Sequence, residues 1–484
     1  MKIKRNFQQI SWLLLTLIGM VVHFQALAQG RSTVTKKKYD AVVSTTNELT
    51  AAIKTANNRA NKSVRYRIFI KNGKYTLPRS TSASITSDDG NKYPSPITLI
   101  SASNISFIGE SMEGVVISND IPADATYQGK FGVTSVYDGI SKSDVLQIQN
   151  SVSNTYFQDI TVKNSMPDSR GRNLAIQDRG TQTIYKNMCL WGFQDTWTSN
   201  KDRGLFYFED GLLRGRTDFI CGKGDAYFNH VTIQMCMNTG GYIAVPSKSV
   251  KYGFVFKDCT IKGESKSLNG NYTLGRPWGQ GTPIALWIDT KMEIIPSAVG
   301  WNEMSNGWPK RFAEYNSMTA NGTPVDLSKR KTVFGDGHPN NPRLTAEEAA
   351  EASDMANMFG SWNPQNATEQ APAPENVTLT GTTLSWDNSN SILLWAIVKD
   401  GAVVDFTITP FYTIDDPTAR YAVRAANEMG GLGEAAEATV VDGIKPAGAS
   451  SMSDDGTFFN LQGIPVIQPH HGIFIVNHHK VVME

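Results

Sequence analysis

The sequence predicts an all-β fold, a right-handed parallel β-helix followed by a small β-sandwich, and three observations carry that expectation. Segments of one pattern recur: "NTYFQDITVKNS", "TIYKNMCLWGF", "LFYFEDGLLRG", "AYFNHVTIQM" and "GFVFKDCTIKG" each place an aromatic before one or two polar residues and an alternating apolar run. Their aromatics, Phe157, Tyr185, Phe208, Phe228 and Phe256, return every 20–28 residues, within the period of a solenoid coil. Long helical periodicity is missing from the same region, so stacked coils that bury one continuous apolar column are the economical solution.

The elements follow in order. Residues 1–28 read as a cleaved signal peptide: Lys2, Lys4 and Arg5 precede an apolar run from Trp12 to Val22 and the small-residue site Ala26-Leu27-Ala28. His23 and Gln25 cut that run short of the about 20 residues a membrane span needs. A secreted protein follows, extracellular, at the cell surface or in the periplasm. The β-helix is expected over residues 29–343, its first coils announced by "YRIFIKNGKYTL" and "NISFIGESMEGVVISND" with their Gly and Asn turn signals. Residues 344–374 should hold a closing helix and a linker. "RLTAEEAAEASDMANMFG" offers Thr345 as cap, Glu348 three residues on and Gly360 as stop, and "NPQNATEQAPAPEN" is polar and Pro-rich. Short alternating strands over 375–443, with Trp386, Trp395, Tyr412 and Tyr421 as core aromatics, predict the sandwich. The tail, 444–484, carries the pairs His470-His471 and His478-His479, which lack a carboxylate or Cys at ligand spacing and are read as turn-flanking residues.

Composition narrows the partners. A 484-residue chain with 40% hydrophobic residues and a net charge of +1 suits a folded protein of more than one domain and shows no global basic footprint, so no nucleic-acid partner is expected. Cys189, Cys221, Cys236 and Cys259 lack paired C-x-x-C spacing and sit in apolar runs, which reads as small buried residues.

Two aspartates stand out. "GFQDTW" and "RGRTDFICGKG" place Asp195 and Asp218 among apolar neighbours, about one coil apart, where adjacent parallel strands are separated by about 5 Å. Two carboxylates so close do not both ionise easily, which suits one as acid and the other as nucleophile.

"GFQDTW", "TDFICG" and "LGRPWG", in that order, together with the weaker "IKNGKY", "ISFIGES", "DITVKNS" and "WNEM…FAEYN", make the chain from about Tyr39 to about Asn363 resemble the pectin methylesterase family of carbohydrate esterases. The resemblance implies a right-handed parallel β-helix and hydrolysis of methyl esters on the galacturonate units of pectin, giving de-esterified pectin and methanol. It places the nucleophile on Asp218, the general acid and base on Asp195, an oxyanion-binding amide on Gln194, an orienting arginine on Arg276 and a sugar-lining aromatic on Trp278. It implies no metal and no organic cofactor, with pectin or another polygalacturonate as partner of a monomer. The sandwich resembles a fibronectin type III-like module, and the tail resembles C-terminal sorting segments of some Gram-negative secreted enzymes.

The chain also departs from the family pattern. A second oxyanion glutamine is expected one coil before "QDT", and Arg172 of "RNLAI" stands there, able to donate to an oxyanion or to bind a neighbouring uronate carboxylate. Gln177 is five residues further on, which strict alternation puts on the opposite face. Arg214 and Arg216 precede the nucleophile as candidate contacts to an acidic polysaccharide or as solvated turn residues, Cys221 replaces a larger side chain, and Trp197 is read as packing. Paired carboxylates on a β-helix also suit a glycoside hydrolase acting on pectic polysaccharide, and the Arg172 change suits a non-catalytic polysaccharide-binding solenoid.

Overall fold

The computed structural model describes residues 34–79, 84–86, 92–94, 97–119, 144–166, 168, 172–441 and short strands of the tail within 458–483. The expected signal peptide and His470, His471 and His478 lie outside the described residues.

The chain winds into three parallel sheets of ten, nine and seven strands; seven successive coils contribute one strand to each sheet, and each strand pairs only with the coils before and after it. The ten-stranded sheet runs from Ala41–Val43 to Arg311–Tyr315. The recurrent aromatics stand in register on consecutive strands of this sheet, Phe157 against Tyr185, Tyr185 against Phe208, Phe208 against Phe228 and Phe228 against Phe256. Phe107 and Trp287 extend the file at its two ends, and successive ring centroids lie 4.9, 5.5, 4.4, 4.6, 4.5 and 3.9 Å apart in stacked pairs. Offset stacking of this kind adds to simple burial.

The polar residues after each aromatic have a backbone reason. Two positions beyond Phe157, Tyr185, Phe208, Phe228, Phe256 and Trp287 stand Asp159, Asn187, Asp210, His230, Asp258 and Asp289, with φ of 57, 46, 56, 56, 53 and 52°. A left-handed residue there turns the chain from one sheet to the next, and Asp and Asn tolerate that conformation better than most residues because their short polar side chains bond locally. The motif is a corner with its core residue attached.

A helix covers the first coil, and the helices that follow the last coil lie along the outer face of the ten-stranded sheet, where Ala349, Ala352 and Phe359 join Tyr207, Tyr227 and Val255. The helix Thr46–Asn58 starts in a capping box of Thr45 and Glu48 and buries Leu49, Ala52, Ile53 and Ala56 against the first coil. After the last coil Thr345 and Glu348 form the expected capping box, but the helix ends at Ser353: Asp354 caps a second helix, Met355–Phe359, whose stop is Gly360 at φ 62°. One expected helix is therefore two, because the Asp354 side chain accepts from the Ala356 N–H in place of continuing the first. The Pro-rich stretch that follows is folded down, with a third helix at Pro364–Thr368 and side-chain bonds from Thr368 to Glu209 (2.6 Å) and between Gln158 and Gln370 (3.0 Å).

Two four-stranded sheets make up residues 378–440, and Trp386, Trp395 and Tyr421 lie buried between them with Tyr412 at their edge. The outer side of one sheet, including Leu394, Ala396, Val403 and Phe406, joins Tyr39, Phe69, Ile108 and Tyr156 of the β-helix in a single apolar cluster. All four cysteines are buried free thiols. No helix among the described residues is long and apolar enough to cross a membrane.

Candidate active site

The seven-stranded sheet carries the site. Its strands Ile176–Asp178, Trp197–Ser199, Thr217–Gly222, Tyr242–Pro246 and Thr273–Gly275 are consecutive, and Gln194 bridges Arg172 on one side and Thr217 on the other. Asp195 and Asp218 each follow such a bridge, at φ 56 and 52°, and the Asp195 N–H donates to the Thr217 carbonyl at 3.1 Å. A left-handed residue interrupts the alternation of faces and turns its carboxylate outward. A bulge adds to this at Asp218, where the register against the following strand slips between Thr217 and Ile220. Gly222 closes the strand at φ 122°, where an added Cβ would fall 1.9 Å from the Ser199 carbonyl oxygen, so the "TDFICG" glycine is a close-approach requirement.

Asp218 is 5% exposed and held by Arg276, whose Nε and Nη2 donate to its two carboxylate oxygens at 2.9 and 2.6 Å. This planar fork fixes the carboxylate's orientation as a point charge would not. The guanidinium lies 3.9 Å over the ring of Tyr242, which restrains it from the other face. Asp195 has a different setting. Arg172 Nε is 3.0 Å from its Oδ2 and Cys221 Sγ is 3.9 Å from its Oδ1. Burial, reinforced by the nearby Asp218 charge and opposed by Arg172, pushes its carboxyl up to about 7. The two aspartates thus sit in different settings: Asp218 is gripped at both oxygens by Arg276, whereas Asp195, with Arg172 at one oxygen, is pushed up to about 7.

The structure brings most of the residues expected from the sequence together. Arg172, Gln194, Asp195, Asp218 and Trp278 line one cavity of about 110 Å³, and Arg276 reaches it through Asp218. Trp278 is 42% exposed, leaving a ring face open at the rim. Arg216 is not in the cavity wall: its Nε donates to the Thr239 carbonyl at 3.0 Å and its guanidinium lies 5.7 Å over the Phe193 ring. Arg214 is buried, bound by Asp168 (2.8 Å) and Glu264 (2.6 Å), and serves as a strut between coils.

Gln177 requires a correction. Strict alternation put it opposite Arg172, yet both line the cavity, because Ala175 and Ile176 turn inward together and shift the period by one residue. Two further contributors escaped the sequence reading. Asn173 Oδ1 accepts from the N–H groups of Phe193 (2.7 Å) and Gln194 (2.9 Å) and so shapes the turn that presents Gln194 and Asp195. Tyr242 supports Arg276. The only sequence signal for Asn173 is one amide in the otherwise apolar stretch after Arg172, and Tyr242 offered none.

Fold and site together define a parallel β-helix whose groove carries an arginine-clamped carboxylate beside a second, buried aspartate. The family model described as Pectinesterase matches residues 99–349, just over half of the 484 residues, and the chain belongs to that family. Among relatives, Pectinesterase 31 of Arabidopsis thaliana is 33% identical over 158 residues, 32% of this chain and 48% of that one. A pectinesterase of Ralstonia solanacearum is 31% identical over 139 residues, 26% of this chain and 35% of that one. The chain thus spans half or less of these two relatives. Among solved structures, pectin methylesterase PemA from Erwinia chrysanthemi superposes with a TM-score of 0.50 at 24% identity, covering 68% of this chain and 99% of that one. The pectin methylesterase from carrot gives 0.51 at 16%, covering 70% and 98%. These two likenesses show the β-helix fold.

Proposed function

We propose that the chain is a pectinesterase that hydrolyses galacturonate methyl esters in pectin, with Asp218 as nucleophile. The observation that carries this reading is the contrast between Asp218, clamped by Arg276, and Asp195, whose carboxyl titrates near 7 in the same cavity. Asp218 Oδ attacks the ester carbonyl carbon, and the charge that develops on the carbonyl oxygen is met by the Gln194 amide. Collapse of the tetrahedral intermediate breaks the bond to methoxide, which leaves as methanol with the Asp195 proton, and Asp218 is left as an acyl anhydride. Asp195, now a carboxylate stabilised by Arg172, takes a proton from water as the hydroxide adds to the acyl carbon. Breakdown frees the galacturonate carboxylic acid and restores both aspartates. A carboxyl titrating near 7 is suited to both halves, since it must give a proton in the first and take one in the second.

The same reading takes residues 1–28 as an export signal for a secreted protein, 375–443 as a fibronectin type III-like module and the partner as a methylated polygalacturonate bound by a monomer, with Trp278 and Arg216 along its path. A calcium-dependent lyase is less well supported, since no three His, Cys, Asp or Glu side chains gather at ligand distance among the described residues. The test is methanol release from highly methylated pectin by the parent and by Asp218→Ala, with reducing ends and unsaturated products followed in parallel. Methanol from the parent alone is expected. Reducing ends without methanol would move the assignment to a glycoside hydrolase, and pectin binding without any product would make the chain a binding solenoid.

A further inference from the structure

The steps above leave one row of groove side chains unused. Gln147, Gln177, Thr198 and Cys221 stand in register on consecutive strands, and none is more than 9% exposed. The Thr198 hydroxyl is engaged, donating to the Asp195 carbonyl at 3.2 Å with Cys221 Sγ at 3.1 Å from its oxygen. Gln177 is different. Its Oε1 accepts from Gln147 Nε2 at 2.9 Å, and that same Nε2 donates to the carboxylate of Asp144 at 3.2 Å, while Gln147 Oε1 accepts from Gln149 Nε2 at 2.6 Å. A carboxylate only accepts, so Asp144 fixes which end of the Gln147 amide is nitrogen, and Gln147 in turn fixes which end of Gln177 is oxygen. The NH₂ of Gln177 is thereby turned toward the cavity it lines with Gln194, Asp195 and Asp218. Among the described residues neither of its N–H groups has a protein acceptor, although the residue is 2% exposed. The donor is thus left available to an acceptor that enters the cavity.

Arg172, at the position where the family resemblance expects the second oxyanion donor, is committed instead to the Asp195 carboxylate at 3.0 Å. We infer that Gln177 is the second amide donor of the ester site, binding the tetrahedral oxyanion together with Gln194, and that Gln147, anchored by Asp144, is the positioning residue that keeps the donor end of Gln177 toward the substrate. The inference rests on the proposed esterase reading. Gln177 and Arg172 then have separate tasks: the amide stabilises charge on the substrate, and the guanidinium stabilises the carboxylate form of Asp195.

The experiment compares kcat and KM for methanol release from methylated oligogalacturonates by the parent, Gln177→Met, Gln177→Glu and Gln147→Met. Thermal melts and binding of the de-esterified product check that each variant folds. Loss of one oxyanion donor should lower kcat by about 100-fold for Gln177→Met, with KM changed by less than about threefold, and further for Gln177→Glu, which presents only an acceptor. Gln147→Met, which leaves Gln177 in place but frees its amide to turn over, should lower kcat by about 10-fold with KM again held. An active parent with kcat unchanged in the Gln177 variants would overturn the inference, as would a rise in KM alone, which would make Gln177 a ground-state sugar contact. A parent that releases no methanol would remove the esterase reading itself, and the two failures are thus distinct. Should the Gln177 variants not fold, the kcat against KM split of Gln147→Met decides.

Discussion

At the scale of single residues, the Arg172–Asp195 pair governs the pH dependence of the site. Arg172 lowers the Asp195 carboxyl against the burial that raises it to about 7, so removing the guanidinium lets that value rise further. The acid form of Asp195 then persists to higher pH, while the base form needed for the second half appears later. Arg172→Gln should therefore move the alkaline limb of kcat/KM and the acidic limb of kcat upward by about one unit, which a pH–rate profile reads directly. An unmoved profile would mean that Arg172 does not touch Asp195 during turnover. The residues proposed to perform the chemistry were legible because three short motifs name them. Gln177 was misread because alternation presumes a regular strand, and here Ala175 and Ile176 break it. Asn173 and Tyr242 were invisible because their roles exist only across coils, once the register is known.

The element that repeats is an aromatic with a left-handed residue two positions later, and His230 offers a clean test of it. Its φ is 56°, its side chain is 59% exposed, and its Nε2 lies 3.8 Å from the Asp258 carboxylate. A β-branched side chain is strained there, whereas glycine is not. His230→Val should lower stability by about 1–2 kcal/mol and His230→Gly should leave it unchanged or higher, measured as the midpoint of thermal or denaturant unfolding. Equal effects of the two would separate the polar residue from the corner. The sequence announced this element through its spacing, but the two ends of the aromatic file, Phe107 and Trp287, were missed, since their flanking residues depart from the shared pattern. The break at Asp354 was missed for a related reason: an aspartate inside a helical pattern reads as a solvated side chain until its backbone contact is seen.

For the molecule as a whole, the sandwich is part of the wall of the solenoid. Phe406 packs edge-on against Tyr39 and Phe69 at 4.8 Å each, the Tyr39 hydroxyl donates to the Gly430 carbonyl at 2.6 Å, and the Val403 N–H donates to Glu110 at 2.6 Å. A chain ending at residue 374 should consequently expose an apolar face, bind a hydrophobic dye, scatter light on concentration and melt earlier than the full chain. A well-behaved truncation with an unchanged melt would make that cluster dispensable. Composition foresaw two kinds of unit but not this contact, because pairing of distant surfaces leaves no periodic trace. The stacking order has one more consequence. A coil at the end of a solenoid has one neighbour where an inner coil has two, so the ends open at lower cost. The strands that hold Gln177 and Asp218, with Trp197–Ser199 between them, sit inside the stack, with further coils on both sides and the helix Thr46–Asn58 beyond the first. Amide exchange should be slowest there, and the two aspartates would remain side by side through fluctuations that fray either end.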